Sequence, residues 1–219
     1  KGVVASMEMK ELDHPILYSF RRCPYAMRAR LSLLVSNQRV EIREVYLREK
    51  PQEFLKSSKS ATVPCLVTNQ ENIDESLDIM IWALKLNDPY QWLKMPKLGY
   101  DFISQNDGPF KLALDRTKYH SRYPNEDPIK NREIASKFIS ELEKKMAGSF
   151  LFGDKPSLAD MAILPFVRQF AFIDKLWFDH QSWPKVVAWL NDFLSSELFL
   201  NIQKKYDRWL PESKTIFFP

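Results

Sequence analysis

Cys23 carries the most chemistry in this 219-residue chain. It stands in Arg21-Arg22-Cys23-Pro24-Tyr25-Ala26, just before a run in which Met27, Leu31, Leu34 and Val35 recur at helical spacing. Pro24 suits a first helical turn, where its missing N–H costs nothing. A sulfur at that place faces unpaired backbone N–H groups and the positive end of the helix dipole. Both favour thiolate over thiol and lower the cysteine pKa. Arg21, Arg22 and Arg28 are expected to add to the effect. Such a thiolate is a nucleophile that needs no histidine partner. Taken alone, a cysteine before a helix is more often an ordinary structural residue.

Other reactive groups are fewer. Cys65, in Thr62-Val63-Pro64-Cys65-Leu66-Val67, reads as a small buried hydrophobe on a strand. Tyr18 lies within an apolar run and reads as a packing residue. His14, His120 and His180 are scattered without metal-ligand spacing, so no metal is expected. No GxGxxG or GxxxxGK[ST] pattern occurs. The 32 basic and 28 acidic residues are interleaved to a net charge of +4, with no basic face of recognisable motif. Nucleic-acid binding is therefore not expected, although a mild positive balance suits a small anionic ligand.

The elements that must position Cys23 alternate in type. Ile16 to Ser19 reads as a buried strand, and Val40 to Leu47 alternates as a second. Pro51 to Lys56 reads as a short helix, Thr62 to Val67 and Glu71 to Ile73 as strands, and Glu75 to Leu86 as a helix. That β-α-β-α-β-β-α order fits one α/β layer. Asn87-Asp88-Pro89 breaks the pattern and begins a connector. Beyond it no strand is predicted. Leu98 to Tyr123, Pro128 to Met146, Trp183 to Leu194 and Ser196 to Tyr206 read as helices. Ser157-Leu158-Ala159-Asp160 opens another with capping-box spacing. The fold class expected is an α/β domain over 14–86 followed by an all-α domain over 98–212. Trp177, Trp183 and Trp189 are read mostly as core of the second domain.

Two later pairs change the reading of Cys23. Val63-Pro64 opens a strand about forty residues downstream, and Glu75-Ser76 starts the next helix. Together with Cys23-Pro24-Tyr25, they resemble the glutathione transferase superfamily, whose N-terminal domain is thioredoxin-like. The match is closest to its cysteine-type branch, which includes omega-class transferases and the two-domain bacterial glutaredoxin. Leu47-Arg48-Glu49-Lys50-Pro51 resembles that branch's LxxKP segment, and SLADMAILP resembles the superfamily's buried capping box. The resemblance implies glutathione as co-substrate, Cys23 as nucleophile and a cis Pro64. It implies that Val63 pairs with the cysteinyl part of glutathione and that Glu75 and Ser76 hold the γ-glutamyl end. Lys50, with Leu47 nearby, would sit near the glycine carboxylate, and Tyr25 would flank the ligand. Arg116, Tyr119 and Tyr123 would border the second-substrate pocket. Where a dithiol glutaredoxin has its second cysteine, this chain has Ala26, which points to monothiol chemistry.

Three functions stay open on these residues. One is thiol transfer, in which Cys23 forms a mixed disulfide with glutathione and acts on a small-molecule or protein thiol or disulfide. Another is conjugation to, or reductive removal of a group from, an electrophile. The third is a binding module without catalysis. A cytoplasmic setting is expected, since two cysteines make no disulfide scaffold and the start KGVVASMEMKELDH lacks an apolar leader core. Met7 or Met9 is the expected initiator. No run of eighteen apolar residues predicts a membrane span, and a homodimer is possible by analogy with the superfamily.

Overall fold

The computed structural model describes residues 10–219, so Met7 and Met9 lie outside the described residues. The first unit runs β1 (Ile16–Ser19), α1 (Pro24–Val35), β2 (Val40–Glu44), α2 (Gln52–Ser57), β3 (Cys65–Val67), β4 (Asn72–Ile73) and α3 (Ser76–Leu86). The order of elements is the one read from the sequence. β1 and β2 are parallel, with α1 as the crossover that a parallel pair requires. β3 is antiparallel to both β1 and β4.

Side chains alternate across β1, so its buried residues feed two separate cores. Leu17 joins Leu66, Ile42 and the helices α1 and α3 in the main core. Ile16 and Tyr18 face the other way, into a smaller cluster with Val45, Phe54, Val63 and Cys65. Both faces are covered, which is why β1 reads as an unbroken apolar run.

The second unit is helical. The expected single helix from Leu98 to Tyr123 is instead α4 (Leu98–Gln105), a π-helical turn over Asn106–Phe110, α5 (Lys111–Lys118) and a short 3₁₀ turn over His120–Arg122. Pro109 lies inside the π turn. Having no N–H to give the helical ladder, it is accommodated by the wider turn. Next come α6 (Pro128–Lys145), α7 (Leu158–Ala171), α8 (Lys175–Asp179), α9 (Pro184–Ser195) and α10 (Glu197–Ile202). The Ser157–Asp160 capping box is formed in both directions at the start of α7. Buried Asp160 accepts further from Leu151 N–H (2.9 Å) and Trp189 Nε1–H (3.0 Å), tying α7 to α9 and to the preceding loop. Trp183 and Trp189 are buried, and Trp177 is partly so.

One expectation about the second half does not hold. The chain after α10 returns to the first unit and ends in β5 (Phe217–Phe218), antiparallel to β2. The five-stranded sheet has the order β4-β3-β1-β2-β5. On the way, Trp209 N–H donates to Glu44 O (2.9 Å), and Arg43 lies over the Trp209 ring at 4.2 Å. A two-residue strand has too few alternating positions to show in the sequence. Among the described residues, no helix is long and apolar enough to cross a membrane.

Candidate active site

A cleft of about 450 Å³ opens between the first turn of α1, the loop after β2, the segment before β3 and the start of α3. Its lining holds Cys23, Tyr25, Leu47, Lys50, Val63, Pro64, Glu75 and Ser76, together with Ala61, Thr62 and Asp74. Residues as far apart in sequence as Cys23 and Ser76 thus meet at one end of the sheet. The Val63–Pro64 peptide is cis. Lys50 Nζ donates to Ala61 O (2.8 Å) and so ties together the two loops at the lip. Ala61 itself adopts left-handed backbone (φ 54°). Asp74 accepts from Ser58 Oγ (2.6 Å) and Lys59 N–H (2.9 Å), fixing the turn before Ala61.

Cys23 is the N-cap of α1. Its thiol is half-buried and faces Val63 O at 3.8 Å. The Ala26 and Tyr25 amides at the helix start favour the thiolate, as expected, yet the pKa is raised, not lowered. Burial is the largest influence; it disfavours the thiolate more than the amides and the charges of Arg30 and Lys111 favour it. The cations that matter also differ from those expected. Arg30 and Lys111 act on the sulfur, while Arg28 is committed elsewhere.

Arg28 is 1% exposed and joins the two units. Nε donates to Ala162 O of α7 (2.7 Å), Nη1 to Ser76 Oγ (3.3 Å), and both Nη groups to the Asp107 carboxylate in the π turn. Its guanidinium lies 4.5 Å from the Phe166 ring and 5.6 Å from the Tyr25 ring. Sequence reasoning missed this knot, because Arg28 and Asp107 are 79 residues apart with no local pattern linking them. The only available signal is an arginine on the buried stripe of an otherwise apolar helix.

Tyr25 rests edge-on against Phe166 at 4.8 Å. Burial, and then the Asp107 charge, push its hydroxyl up to about 12, so it is a neutral donor at ordinary pH. Tyr18 OH accepts from Arg43 Nη1 (2.8 Å), which fits packing and not catalysis. Cys65 is fully buried and points its thiol at Ser57 O (3.8 Å). Burial, and then Asp74, push it up to about 12, so it stays protonated.

The residues expected at a second-substrate pocket lie apart from this cleft, on and after α5. Arg116 pairs with Glu126 (2.6 Å) and lies 5.3 Å from the Tyr123 ring, while Tyr119 is stacked by Arg122 at 4.4 Å. None of the three lines the cleft. From α5 it is Lys111, on the first turn, that comes near: its ammonium is 5.8 Å from the Tyr25 ring and is paired with Asp115 (2.6 Å). Among the described residues, no group of three or more His, Cys, Asp or Glu side chains is placed to hold a metal ion.

Residues 17–89 match the family model "Glutathione S-transferase, N-terminal domain", and residues 114–192 match "Glutathione S-transferase, C-terminal domain". Glutathione S-transferase omega-1 of Mus musculus is 28% identical over 186 residues, covering 80% of this chain and 74% of that protein. Glutathione transferase Omega 3C from Trametes versicolor superposes with a TM-score of 0.72 at 20% identity, covering 90% of this chain and 92% of that one. A family member from Pseudomonas fluorescens, solved with two glutathione bound, gives 0.74 at 16% identity, covering 87% and 92%. At such identities the two structures speak for the shared fold.

Proposed function

The chain belongs to the glutathione transferase superfamily, and from that premise we propose that it is a glutathione-dependent thiol transferase with Cys23 as its monothiol nucleophile. The observation that carries this reading is the position of the Cys23 sulfur. It lies at the N-terminus of α1 and 3.8 Å from Val63 O, beside the cis peptide and in the same cleft as Glu75, Ser76 and Lys50.

In this reading the Val63 backbone pairs with the cysteinyl amide of glutathione. Ser76 and the free N–H groups of α3 take the γ-glutamyl carboxylate, and exposed Glu75 takes the ammonium. The Lys50 ammonium, which keeps donors beyond its bond to Ala61 O, answers the glycine carboxylate. Tyr25 flanks the ligand as a neutral hydroxyl.

The reaction runs in two exchanges. Cys23 loses its proton to solvent, and the thiolate attacks the glutathionyl sulfur of a mixed disulfide. An S–S bond to Cys23 forms, the substrate S–S bond breaks, and the substrate thiolate leaves and takes up a proton. A second glutathione, as thiolate, then attacks the glutathionyl sulfur on Cys23. Glutathione disulfide departs and the Cys23 thiolate is restored. Because Ala26 replaces a second cysteine, glutathione is the resolving thiol. The raised Cys23 pKa lowers the thiolate fraction at neutral pH. The loss is partly offset, because intrinsic thiolate nucleophilicity rises with pKa at a Brønsted slope of about 0.4–0.5.

The test is glutathione-dependent reduction of a small mixed disulfide by wild type and Cys23→Ser, with calorimetric titration of glutathione into both. Loss of turnover with binding retained is the expected result. Equal turnover by the two proteins ends the reading.

A further inference from the structure

The far end of α1 borders a second cleft, of about 410 Å³. It lies between that helix end, the connector after α3, the loop before α7 and the start of α10. α1 has twelve residues, so its two ends stand about 17 Å apart. The cleft shares no lining residue with the one around Cys23. Its volume falls in the range of about 300–1,000 Å³ in which small-molecule sites occur.

The walls are apolar. Leu34 and Val35 of α1 and Leu198 of α10 line them, each partly buried and packed against the main core. Tyr90, 63% exposed, stands at the mouth. Trp92 also lines the cleft and is 1% exposed. Its backbone is fully engaged. Its N–H donates to Asp88 Oδ1 (2.9 Å), and its C=O accepts from Leu158 N–H (2.9 Å). The group it has left to offer is the indole. The Nε1–H is buried, with no acceptor among the described residues. A buried tryptophan N–H ordinarily finds a partner, and one left unpaired carries the cost of its lost water.

The polar side of the cleft comes from α10. Glu197 and Asn201 are four residues apart and share a helix face. Among the described residues, Glu197 has no ion-pair partner and is the only charged residue in the lining. These features specify a ligand with an apolar body for the walls, an acceptor oxygen for Trp92 and a positive end for Glu197. We propose that this cleft is a second, non-catalytic site for a small aromatic amide that carries an amine. The amide oxygen accepts from Trp92 Nε1–H, and the ammonium lies toward Glu197. The site does not rest on the thiol-transfer reading, because none of its residues lines the Cys23 cleft.

The test uses three benzamides that share a phenyl ring and a carbonyl but differ in charge: N-(2-aminoethyl)benzamide, N-ethylbenzamide and hippurate. The chain has six tryptophans, and the indole signal of Trp92 is the one missing from the proton–nitrogen NMR spectrum of Trp92→Phe. The cationic probe should move that signal downfield, as a new hydrogen bond does, and saturating glutathione should not reverse the shift. By calorimetry, Trp92→Phe should bind the same probe about fivefold more weakly, the scale of one hydrogen bond. The neutral amide should bind about threefold more weakly than the cation, and hippurate more weakly again. Glu197→Gln should remove the preference for the cation.

A Trp92 signal that stays put under the cationic probe overturns the site. So does a shift that glutathione reverses, since the probe would then occupy the Cys23 cleft. Equal binding of the three benzamides overturns the assignment of an amine. Should Trp92→Phe fail to fold, Leu198→Phe fills the cleft from its partly exposed wall and should abolish the downfield indole shift. An undiminished shift in that variant overturns the proposal as well.

Discussion

Arg28 and Arg30 stand two residues apart on α1, each 1% exposed, and they hold opposite flanks of Cys23 by different means. Arg28 faces the helical unit and meets a full counter-charge in Asp107, besides Ala162 O and Ser76 Oγ. Arg30 faces the sheet end and meets only neutral oxygens: Ser19 Oγ, Phe20 O, Arg21 O and Ile202 O (3.0 Å). Burial, first of all, lowers its pKa to about 10, with the Glu44 charge acting against that. The same residue type therefore does two jobs. On the Arg28 flank charge is cancelled and the bonds fix geometry, including the position of Ser76. On the Arg30 flank no carboxylate is hydrogen-bonded to the guanidinium, and its charge, countered by Glu44 from further off, acts on the Cys23 sulfur.

The strongest way to break this comparison is Arg30→Met. It leaves the carbonyls of Phe20, Arg21 and Ile202 and the Ser19 hydroxyl without their donor. A loss of about 3 kcal/mol or more in urea unfolding is expected. A change under about 1 kcal/mol would show that the clamp does not hold the turn. Asp107→Asn is the matching change on the other flank. It strips a buried guanidinium of its charge partner, but Asp107 is 33% exposed and water screens the loss. About 1–2 kcal/mol is expected, with a several-fold higher KM for glutathione, through Ser76, and little change in kcat. A fall in kcat alone would count against Ser76 as the residue affected.

Alkylation as a function of pH sharpens the electrostatic half. Because burial raises the Cys23 pKa, the iodoacetamide rate should climb by about tenfold per pH unit, with no plateau up to about pH 8.5, the ordinary cysteine value. A plateau near neutrality would mean that the helix amides win over burial. Arg30→Lys keeps the charge and should hold the profile in place, and Arg28→Met, which removes no charge that acts on the sulfur, should not move it either. The same shift has a stability sign. The folded protein keeps this proton longer than the unfolded chain, so stability contributed below the unfolded thiol pKa is lost as pH rises through the folded one. Arg208→Ala supplies the smallest effect and the reference for the rest. Arg208 and Glu49 pair at 3.0 Å with side chains 40% and 67% exposed, and the change should cost no more than about 0.5 kcal/mol in the same urea measurement.

What the sequence revealed follows the same division. Cys23, Val63-Pro64 and Glu75-Ser76 were read together through a family resemblance, and the fold brings them to one cleft because each stands at the end of its own strand or helix. The β-α-β-α-β-β-α order was legible because local chemistry decides the backbone of each element. Arg28 was misread as a neighbour of the sulfur because its partners come from α3, the π turn and α7. The Cys23 pKa was misjudged because a helix start is visible in sequence and burial is not. Arg116, Tyr119 and Tyr123 were named from the family resemblance, and the fold engages Arg116 with Glu126 and Tyr119 with Arg122. β5 was missed because its two residues are a strand only in the presence of β2.

β5 and the Arg30–Ile202 bond together have a consequence for synthesis. The strands β1 to β4 leave the ribosome long before residues 217–218 exist to cover the free edge of β2. The clamp on the turn before Cys23 likewise lacks one anchor until Ile202 has been made. An unpaired strand edge invites pairing with other chains. A nascent chain stalled before residue 200 would expose that edge and leave the turn before Cys23 with a loosened clamp, so the surroundings of Cys23 are complete only after β5 has been made.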